Sequence, residues 1–147
     1  MTSLTREAIA SVLAERLTYI SKDFTGRSLA VVDIGIFPWH GTVEISLLFD
    51  DEIDGADLEE IAAWPAYAWS DKQGAEYWQA GAELGTVFQK QYREGVPLDS
   101  LLLLVANALT QPGVTKALSE YQLSESFKFQ LLNPDTTGGP NYCALQS

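Results

Sequence analysis

Two runs of apolar residues on either side of a Pro-Trp-His-Gly sequence constrain the fold more than any other feature of this chain. Residues 29–37 are rich in Val and Ile, and residues 42–49 carry apolar side chains at alternate positions. Alternation is typical of half-buried strands, and Pro and Gly in a four-residue gap favour a reversal between antiparallel strands. We therefore predict a central β-hairpin whose loop is Pro38-Trp39-His40-Gly41.

Helical patterns surround this hairpin, and one further strand follows them. Apolar residues at spacings of three and four predict helices, which cover residues 4–20, 57–63, 72–94, 98–109 and 114–121. Residues 127–132 alternate again and predict a late strand. Because an isolated hairpin is marginally stable, the fold class is predicted as α+β: a small antiparallel sheet of hairpin and late strand, covered by helices on one face.

The length of 147 residues and the lack of a long linker predict a single globular domain over 1–147, with a loosely ordered tail from about residue 133.

Within the long predicted helix, Gly81 and Gly85 lie four residues apart on the face that carries Trp78 and Phe88. Each glycine costs a helix about 1 kcal/mol relative to alanine. Two glycines on one helix face therefore predict that another element packs closely there.

The negative charge is concentrated in one part of the chain. The net charge is −11, and residues 28–71 hold ten of the twenty carboxylates and no Lys or Arg. The remainder is nearly neutral, with ten acidic and nine basic residues. An acidic surface repels nucleic acids and anionic membranes, whereas it steers and orients a basic protein. The sequence therefore predicts a basic protein partner, no nucleic acid and no membrane.

Seven of the ten carboxylates fall between residues 50 and 60, directly before an aromatic segment. Aromatic side chains beside carboxylates suit Arg-rich ligands through cation–π and charge pairing. The predicted binding face consists of Asp50, Asp51, Glu52, Asp54, Asp57, Glu59, Glu60, Trp64 and Trp69. Two alternatives stay open. The carboxylates would then form only a solvated loop and the start of a helix. The aromatic cluster, which consists of Trp64, Tyr67, Trp69, Tyr77 and Trp78, would instead close the core.

The same loop contains an incomplete calcium pattern. Asp50, Glu52 and Asp54 stand at the first, third and fifth positions of a calcium loop, and Gly55 stands at the sixth. The twelfth position, which requires a bidentate Glu, is Ile61. These three residues are thus an incomplete calcium candidate. One His and one Cys are too few for zinc, and no phosphate-binding glycine loop is present, so no cofactor is predicted.

His40 is the one catalytic candidate. An imidazole in the hairpin loop would serve acid–base chemistry if the fold supplied a carboxylate, which gives the alternative of a small hydrolase or lyase. Cys143 has no His near it in the sequence and is not predicted to be a nucleophile. A third alternative is a homo-oligomeric structural protein that pairs through the aromatic helix face. The oligomeric state is not determined by the sequence.

The stretch from Ile34 to Leu47, followed by the acidic loop and a Trp-containing segment, resembles small acidic bacterial proteins of uncharacterised function, some of which are immunity proteins of polymorphic toxins. The resemblance lies in element order across about residues 4–132 and transfers no active site. It implies a cytoplasmic, non-enzymatic neutraliser that docks on a toxin domain with a cationic cleft. The absence of a signal-like N-terminus and of a long apolar run agrees with that expectation.

Overall fold

The computed structural model describes residues 4–72 and 74–146 and confirms the α+β class. Within these residues there are four α-helices and three strands, joined by loops and short 3₁₀ helices. The helices are α1 (Arg6–Ser21), α2 (Gln79–Arg93), α3 (Leu98–Ala108) and α4 (Pro112–Leu118); the strands are β1 (Ser28–Phe37), β2 (Thr42–Phe49) and β3 (Gln122–Gln130). The predicted hairpin is confirmed, since β1 pairs antiparallel with β2 up to the Phe37–Thr42 pair.

The third strand runs in the direction opposite to the one expected. The sheet order is β2-β1-β3, and β3 pairs parallel with β1, with Leu29 opposite Leu123. The sheet is therefore mixed rather than all antiparallel. Helix α1 leads into β1 and helix α4 leads into β3, and the two helices pack together. The Tyr121 hydroxyl also donates to the Leu17 carbonyl at 2.6 Å, so both strands enter the sheet at the same end.

The helices bury one face of the sheet and form the main core. Helix α1 contributes an apolar stripe to this core, and α2 and α3 add large side chains; the fully buried examples include Ile9, Leu13, Leu17, Phe88, Leu102, Ile34, Ile45 and Leu47. In β1 the pairing register shifts between Leu29 and Val31. A bulge of this kind places consecutive side chains on one face, and here Ala30 and Val31 both join a second cluster on the far side of the sheet.

That second face is covered by residues 53–64, which include most of the acidic run that follows β2. Trp64 is buried with Ala30, Val31 and Leu48, and partly buried apolar side chains of the segment pack around them: Ile53, Ala56, Leu58 and Ile61. The helix expected over 57–63 is absent; short 3₁₀ turns occupy Ile53–Gly55 and Ile61–Ala63. Pro65 disfavours helical backbone at Trp64, which precedes it. The apolar side chains of residues 53–64 spread over the sheet, whereas those of an amphipathic helix would lie along one stripe.

Helix α2 begins at Gln79, seven residues later than predicted, because Arg16 and Tyr19 of α1 bind the backbone of Glu76 just before it. The close packing predicted from its glycines is confirmed. A Cβ on Gly81 would lie 2.3 Å from the Trp78 ring, and a Cβ on Gly85 would lie 2.1 Å from the Gly41 carbonyl oxygen. The helix face that carries Leu84 and Phe88 is buried in the main core, so it is not available for pairing with a second copy.

The segment expected to be a loose tail packs against the sheet. Tyr142 is 7% exposed, and its N–H donates to the Leu131 carbonyl at 2.9 Å. The Asn141 side chain accepts from the Leu131 N–H and donates to the Phe129 carbonyl, both at 3.0 Å. The Gly and Pro residues of this segment predict irregular backbone, which was expected to be loosely ordered. The backbone is nevertheless held in place, because the Asn141 side chain bonds to backbone groups at the end of β3.

Within the described residues, no helix alone has the length and apolar character needed to cross a membrane. Helices α3 and α4 meet those two criteria only when they are taken together across the 66° bend between them.

Candidate functional site

Most carboxylates of the predicted binding face have partners inside the protein. The Arg27 guanidinium lies 2.9 Å from Asp51 and 3.4 Å from Glu52. Glu52 also accepts the Phe49 N–H at 3.0 Å, and Asp50 accepts the Ser28 hydroxyl at 2.8 Å. These contacts fix the end of β2 to the start of β1. The first three carboxylates of the acidic run therefore serve the local structure of the hairpin.

The second half of the run is less engaged. Asp57 accepts the Glu59 N–H at 2.9 Å, and Glu59 in turn accepts the Gly138 N–H at 2.8 Å, which ties the acidic segment to the C-terminal region. Asp54 and Glu60 are exposed and form no ion pair with any residue in the described ranges. They remain solvent-facing charges at the edge of the predicted face.

The two tryptophans predicted to flank the acidic run lie in different environments. Trp64 is 4% exposed in the second cluster, and its Nε1–H donates to the Asp57 carbonyl at 3.1 Å. The Trp69 ring lies 5.1 Å from that of Phe24, which belongs to the main core, and its Nε1–H donates to Asp23 at 2.9 Å. The predicted single face with both indoles is therefore not formed, because each indole serves a different hydrophobic cluster.

The calcium candidate does not become a site. Nowhere in residues 4–72 and 74–146 do three or more His, Cys, Asp or Glu side chains converge in a way that could hold a metal ion. Asp50 is engaged with Ser28 and Glu52 with Arg27, while Asp54 is exposed to solvent. The residues of the calcium pattern are thus present in sequence, but the oxygens of the first two are used elsewhere.

Neither His40 nor Cys143 forms an ion pair or a side-chain hydrogen bond with a carboxylate within residues 4–72 and 74–146. His40 is exposed at the tip of the hairpin, where its backbone N–H donates to the Phe37 carbonyl at 3.0 Å. None of the carboxylates in the described ranges forms an ion pair with it. Burial raises the pKa of the Cys143 thiol to about 12, which opposes formation of a thiolate.

The structure instead places exposed aromatic surface beside carboxylates at Tyr77. Tyr77 is 74% exposed, and with Trp78 it lines two neighbouring cavities of about 260 and 430 Å³. The smaller cavity is also lined by Glu44 and Asp71, and the larger by three carboxylates and one largely buried cation: Glu15, Glu76, Glu83 and Arg16. We call this region the Tyr77 face, which consists of Glu15, Glu44, Asp71, Tyr77, Trp78 and Glu83.

Glu44 and Asp71 are the two carboxylates of the smaller cavity. The Tyr67 hydroxyl donates to Glu44 at 3.3 Å, and the Ser70 hydroxyl donates to Asp71 at 3.1 Å. Desolvation raises the pKa of both carboxyls, and the charge of Asp71 adds to the rise at Glu44. Both residues belong to the acidic stretch of residues 28–71. Their proximity was not predictable from the sequence, because they are 27 positions apart and no local pattern links them.

Arg16 and Ser70 hold the turn that carries this face. The Arg16 side chain is 5% exposed and donates to the Ser70 carbonyl through Nε at 3.1 Å and a terminal nitrogen at 2.8 Å, and to the Glu76 carbonyl. The Ser70 hydroxyl accepts the Ile45 N–H at 2.9 Å. The turn before α2 is thereby fixed to both α1 and β2, which positions Asp71 and Tyr77 relative to Glu44.

Replacing Arg16 with Met should lower the free energy of unfolding by about 2 kcal/mol, because the buried Ser70 carbonyl loses two charge-assisted donors. Chemical denaturation followed by tryptophan fluorescence measures the change. Arg6→Met is the matched control: Arg6 is exposed and, within the part of the chain that the structure describes, pairs with its neighbour Glu7 alone, so its loss should cost less than about 0.5 kcal/mol. Equal costs for both variants would contradict the role given to Arg16.

A further carboxyl is buried beneath the acidic segment. Asp33 is 5% exposed in the middle of β1, and Gln130 of β3 donates through Nε2 both to Asp33 at 2.9 Å and to the Leu58 carbonyl at 2.8 Å. Desolvation is the largest cause that raises the pKa of Asp33 to about 7; the hydrogen bond from Gln130 opposes it and the charge of Glu44 adds to it. This group is enclosed, so it shapes stability rather than contacts with a ligand.

Comparisons of the chain with protein-family models, with curated proteins and with solved structures find no match in any of the three. The assignment of a function therefore depends on the geometry and charge described above.

Proposed function

We propose that this protein is a non-catalytic binding module that docks an acidic, aromatic face on a basic protein partner, in the manner of a cytoplasmic immunity-type neutraliser. The proposal keeps the class of partner predicted from the charge distribution. It moves the centre of the contact from the acidic run of residues 50–60 to the Tyr77 face.

The observation that carries the proposal is the position of Tyr77, a largely exposed aromatic side chain between two cavities that are both lined by carboxylates. Tyrosine is enriched at the energetic centres of interfaces, and carboxylates around it favour a cationic partner. The rigid turn held by Arg16 and Ser70 supports the same conclusion, because a pre-organised surface binds with less loss of conformational freedom.

The charge distribution supports a partner of opposite sign. Among the described residues, Arg27 is the one cation that forms ion pairs with carboxylates of residues 28–71, and it engages only Asp51 and Glu52. Apart from the enclosed Asp33, the other carboxylates of residues 28–71 form no ion pair within the described residues, and the charges of the exposed ones are left to solvent or to a partner. A one-signed field of this kind increases association rates with a basic protein and disfavours acidic ones.

Selection from a random library of twelve-residue peptides tests this function and does not require the partner to be identified first. Peptides selected on the immobilised protein at physiological ionic strength should be enriched in Arg and Lys, and raised salt should weaken their binding. A variant with Glu44→Lys, Asp71→Lys and Tyr77→Ala should lose at least about tenfold in affinity for them, as for hot-spot residues. Selection that gives no enrichment in basic residues would refute the proposed function.

A further inference from the structure

The cavity between Glu44 and Asp71 has unused hydrogen-bonding capacity. An ionised carboxylate offers about four acceptor positions, and each of these two receives one hydroxyl from within the protein, from Tyr67 and Ser70 respectively. No Lys, Arg or His of the described residues forms an ion pair with either. Two carboxylates from different elements thus line one cavity, and the cation nearest to them in effect is the buried Arg16, whose charge acts to lower the pKa of Asp71.

A donor at the same cavity is also unsatisfied. Trp78 lines the cavity and is 4% exposed, and its Nε1–H has no hydrogen-bond partner among the described residues. Buried indole N–H groups ordinarily find an acceptor. A ligand that carries both a cation and a nearby acceptor would satisfy the carboxylates and the indole together. An amino-acid residue with a cationic side chain has both, since its peptide carbonyl is an acceptor.

The size and walls of the cavity favour one side chain. Its volume of about 260 Å³ is below the range of roughly 300–1,000 Å³ that is typical of sites for larger ligands. The exposed Tyr77 ring and the buried Trp78 ring both line it, and the Trp78 ring fills the space that a side chain at Gly81 would take. An aromatic face beside carboxylates stabilises a planar cation by stacking and by charge.

We propose that this cavity binds the guanidinium group of an arginine side chain presented by the basic partner. The inference rests on the proposed function and names the chemical group that the Tyr77 face recognises. Guanidinium is favoured over ammonium because a planar group with five donors can bond two carboxylates at the same time and also stack its face on an aromatic ring, and the cavity offers both kinds of group. The Trp78 Nε1–H then donates to the peptide carbonyl of the same arginine.

Titration of the ¹⁵N-labelled protein with N-acetyl-arginine amide tests the proposal by NMR. The four tryptophans give separate indole signals, so the protein contains its own controls. The Trp78 indole signal and the backbone signals of Glu44, Asp71 and Tyr77 should shift and saturate with a Kd on the order of 1–10 mM. The Trp64 indole, which is bonded to the Asp57 carbonyl, should not move. N-acetyl-citrulline amide has the same shape without the charge and should cause no saturable shift.

Variants localise the binding. Glu44→Gln and Asp71→Asn should each weaken binding of the arginine amide about tenfold, because each removes one charge-assisted acceptor. The matched controls Asp54→Asn and Glu60→Gln remove the same charge from exposed positions and should keep the Kd within about twofold. Unchanged spectra outside the cavity would show that each variant is folded.

Each other outcome has a defined meaning. Saturable shifts confined to residues 50–60 would overturn the arginine site and leave the proposed function intact. Binding of N-acetyl-lysine amide or of the citrulline amide with equal affinity would also overturn the guanidinium assignment, as would the absence of any saturable shift at about 50 mM ligand. The proposed function itself fails only if the peptide selection shows no preference for basic sequences.

Discussion

Replacing Asp33 with Asn should make the protein less stable than the parent chain at pH 4.5 and more stable than it at pH 8. Asp33 has an ordinary pKa of 3.8 and a folded-state pKa of about 7. Between those values the folded protein keeps a proton that the unfolded chain has lost. The free energy of unfolding of the parent therefore falls as pH rises from about 4 to 7, and this group alone accounts for about 4 kcal/mol of that fall.

The asparagine side chain introduced by Asp33→Asn does not titrate, so the variant lacks this dependence. Its oxygen accepts from Gln130 as the carboxylate does, but its NH₂ group adds a buried donor at a cost of about 1–3 kcal/mol. At pH 8 the variant should consequently be more stable than the parent by about 2 kcal/mol, and at about pH 4.5 it should be less stable. Urea denaturation at the two pH values measures the difference.

Asp54→Asn provides the matched control for this experiment. Asp54 is exposed, so the substitution should change the free energy of unfolding by less than about 0.5 kcal/mol at either pH. A stability difference between Asp33→Asn and the parent that is the same at both pH values would contradict the description of Asp33 as a buried carboxyl that is protonated when folded.

Replacing Gly85 with Ala should lower the free energy of unfolding by about 3 kcal/mol, even though alanine is the better helix former. The added Cβ would lie 2.1 Å from the Gly41 oxygen and 2.7 Å from the Gly41 carbonyl carbon, so α2 and the hairpin loop must separate. Thermal unfolding should show a decrease in Tm on the order of 10 °C.

Gly113→Ala separates this steric effect from a general effect of alanine. Gly113 lies in the first turn of α4, and a Cβ there would meet no atom within 4 Å. Its replacement should leave stability unchanged or raise it by up to about 1 kcal/mol. A Gly85→Ala variant as stable as Gly113→Ala would mean that the helix and the loop are not in contact at this point.

The hairpin and the glycine contact were predictable because both depend on local pattern. Alternation in residues 42–49 and the Pro-Trp-His-Gly loop determine how β1 and β2 pair, and Gly81 and Gly85 mark a helix face where backbone must approach. The direction of β3 was not predictable, since alternation specifies the faces of a strand but not its orientation. That orientation depends on the packing of α4 against α1.

The candidate site was only partly accessible from the sequence. The uneven distribution of charge in the sequence pointed to residues 50–60 as the binding face. The first carboxylates of that run, however, bind Arg27 and Ser28 within the protein. Glu44, Asp71 and Tyr77 are brought together by contacts between residues distant in sequence, namely those of Arg16 with Ser70 and Glu76 and that of Ser70 with Ile45. The aromatic cluster was the one available signal, and it did not distinguish exposed Tyr77 from buried Trp64.

The parallel pairing of β1 with β3 also affects how the chain reaches its native state. Ser28 pairs with Gln122, so the sheet acquires its third strand only after all four helices have been synthesised. Contacts between residues so distant in sequence slow folding, because a large loop must close before they form. Until then Asp33 lacks Gln130, and the edge of the hairpin that β3 will cover stays open. We therefore expect a nascent chain that ends before residue 122 to depend on chaperones to avoid aggregation.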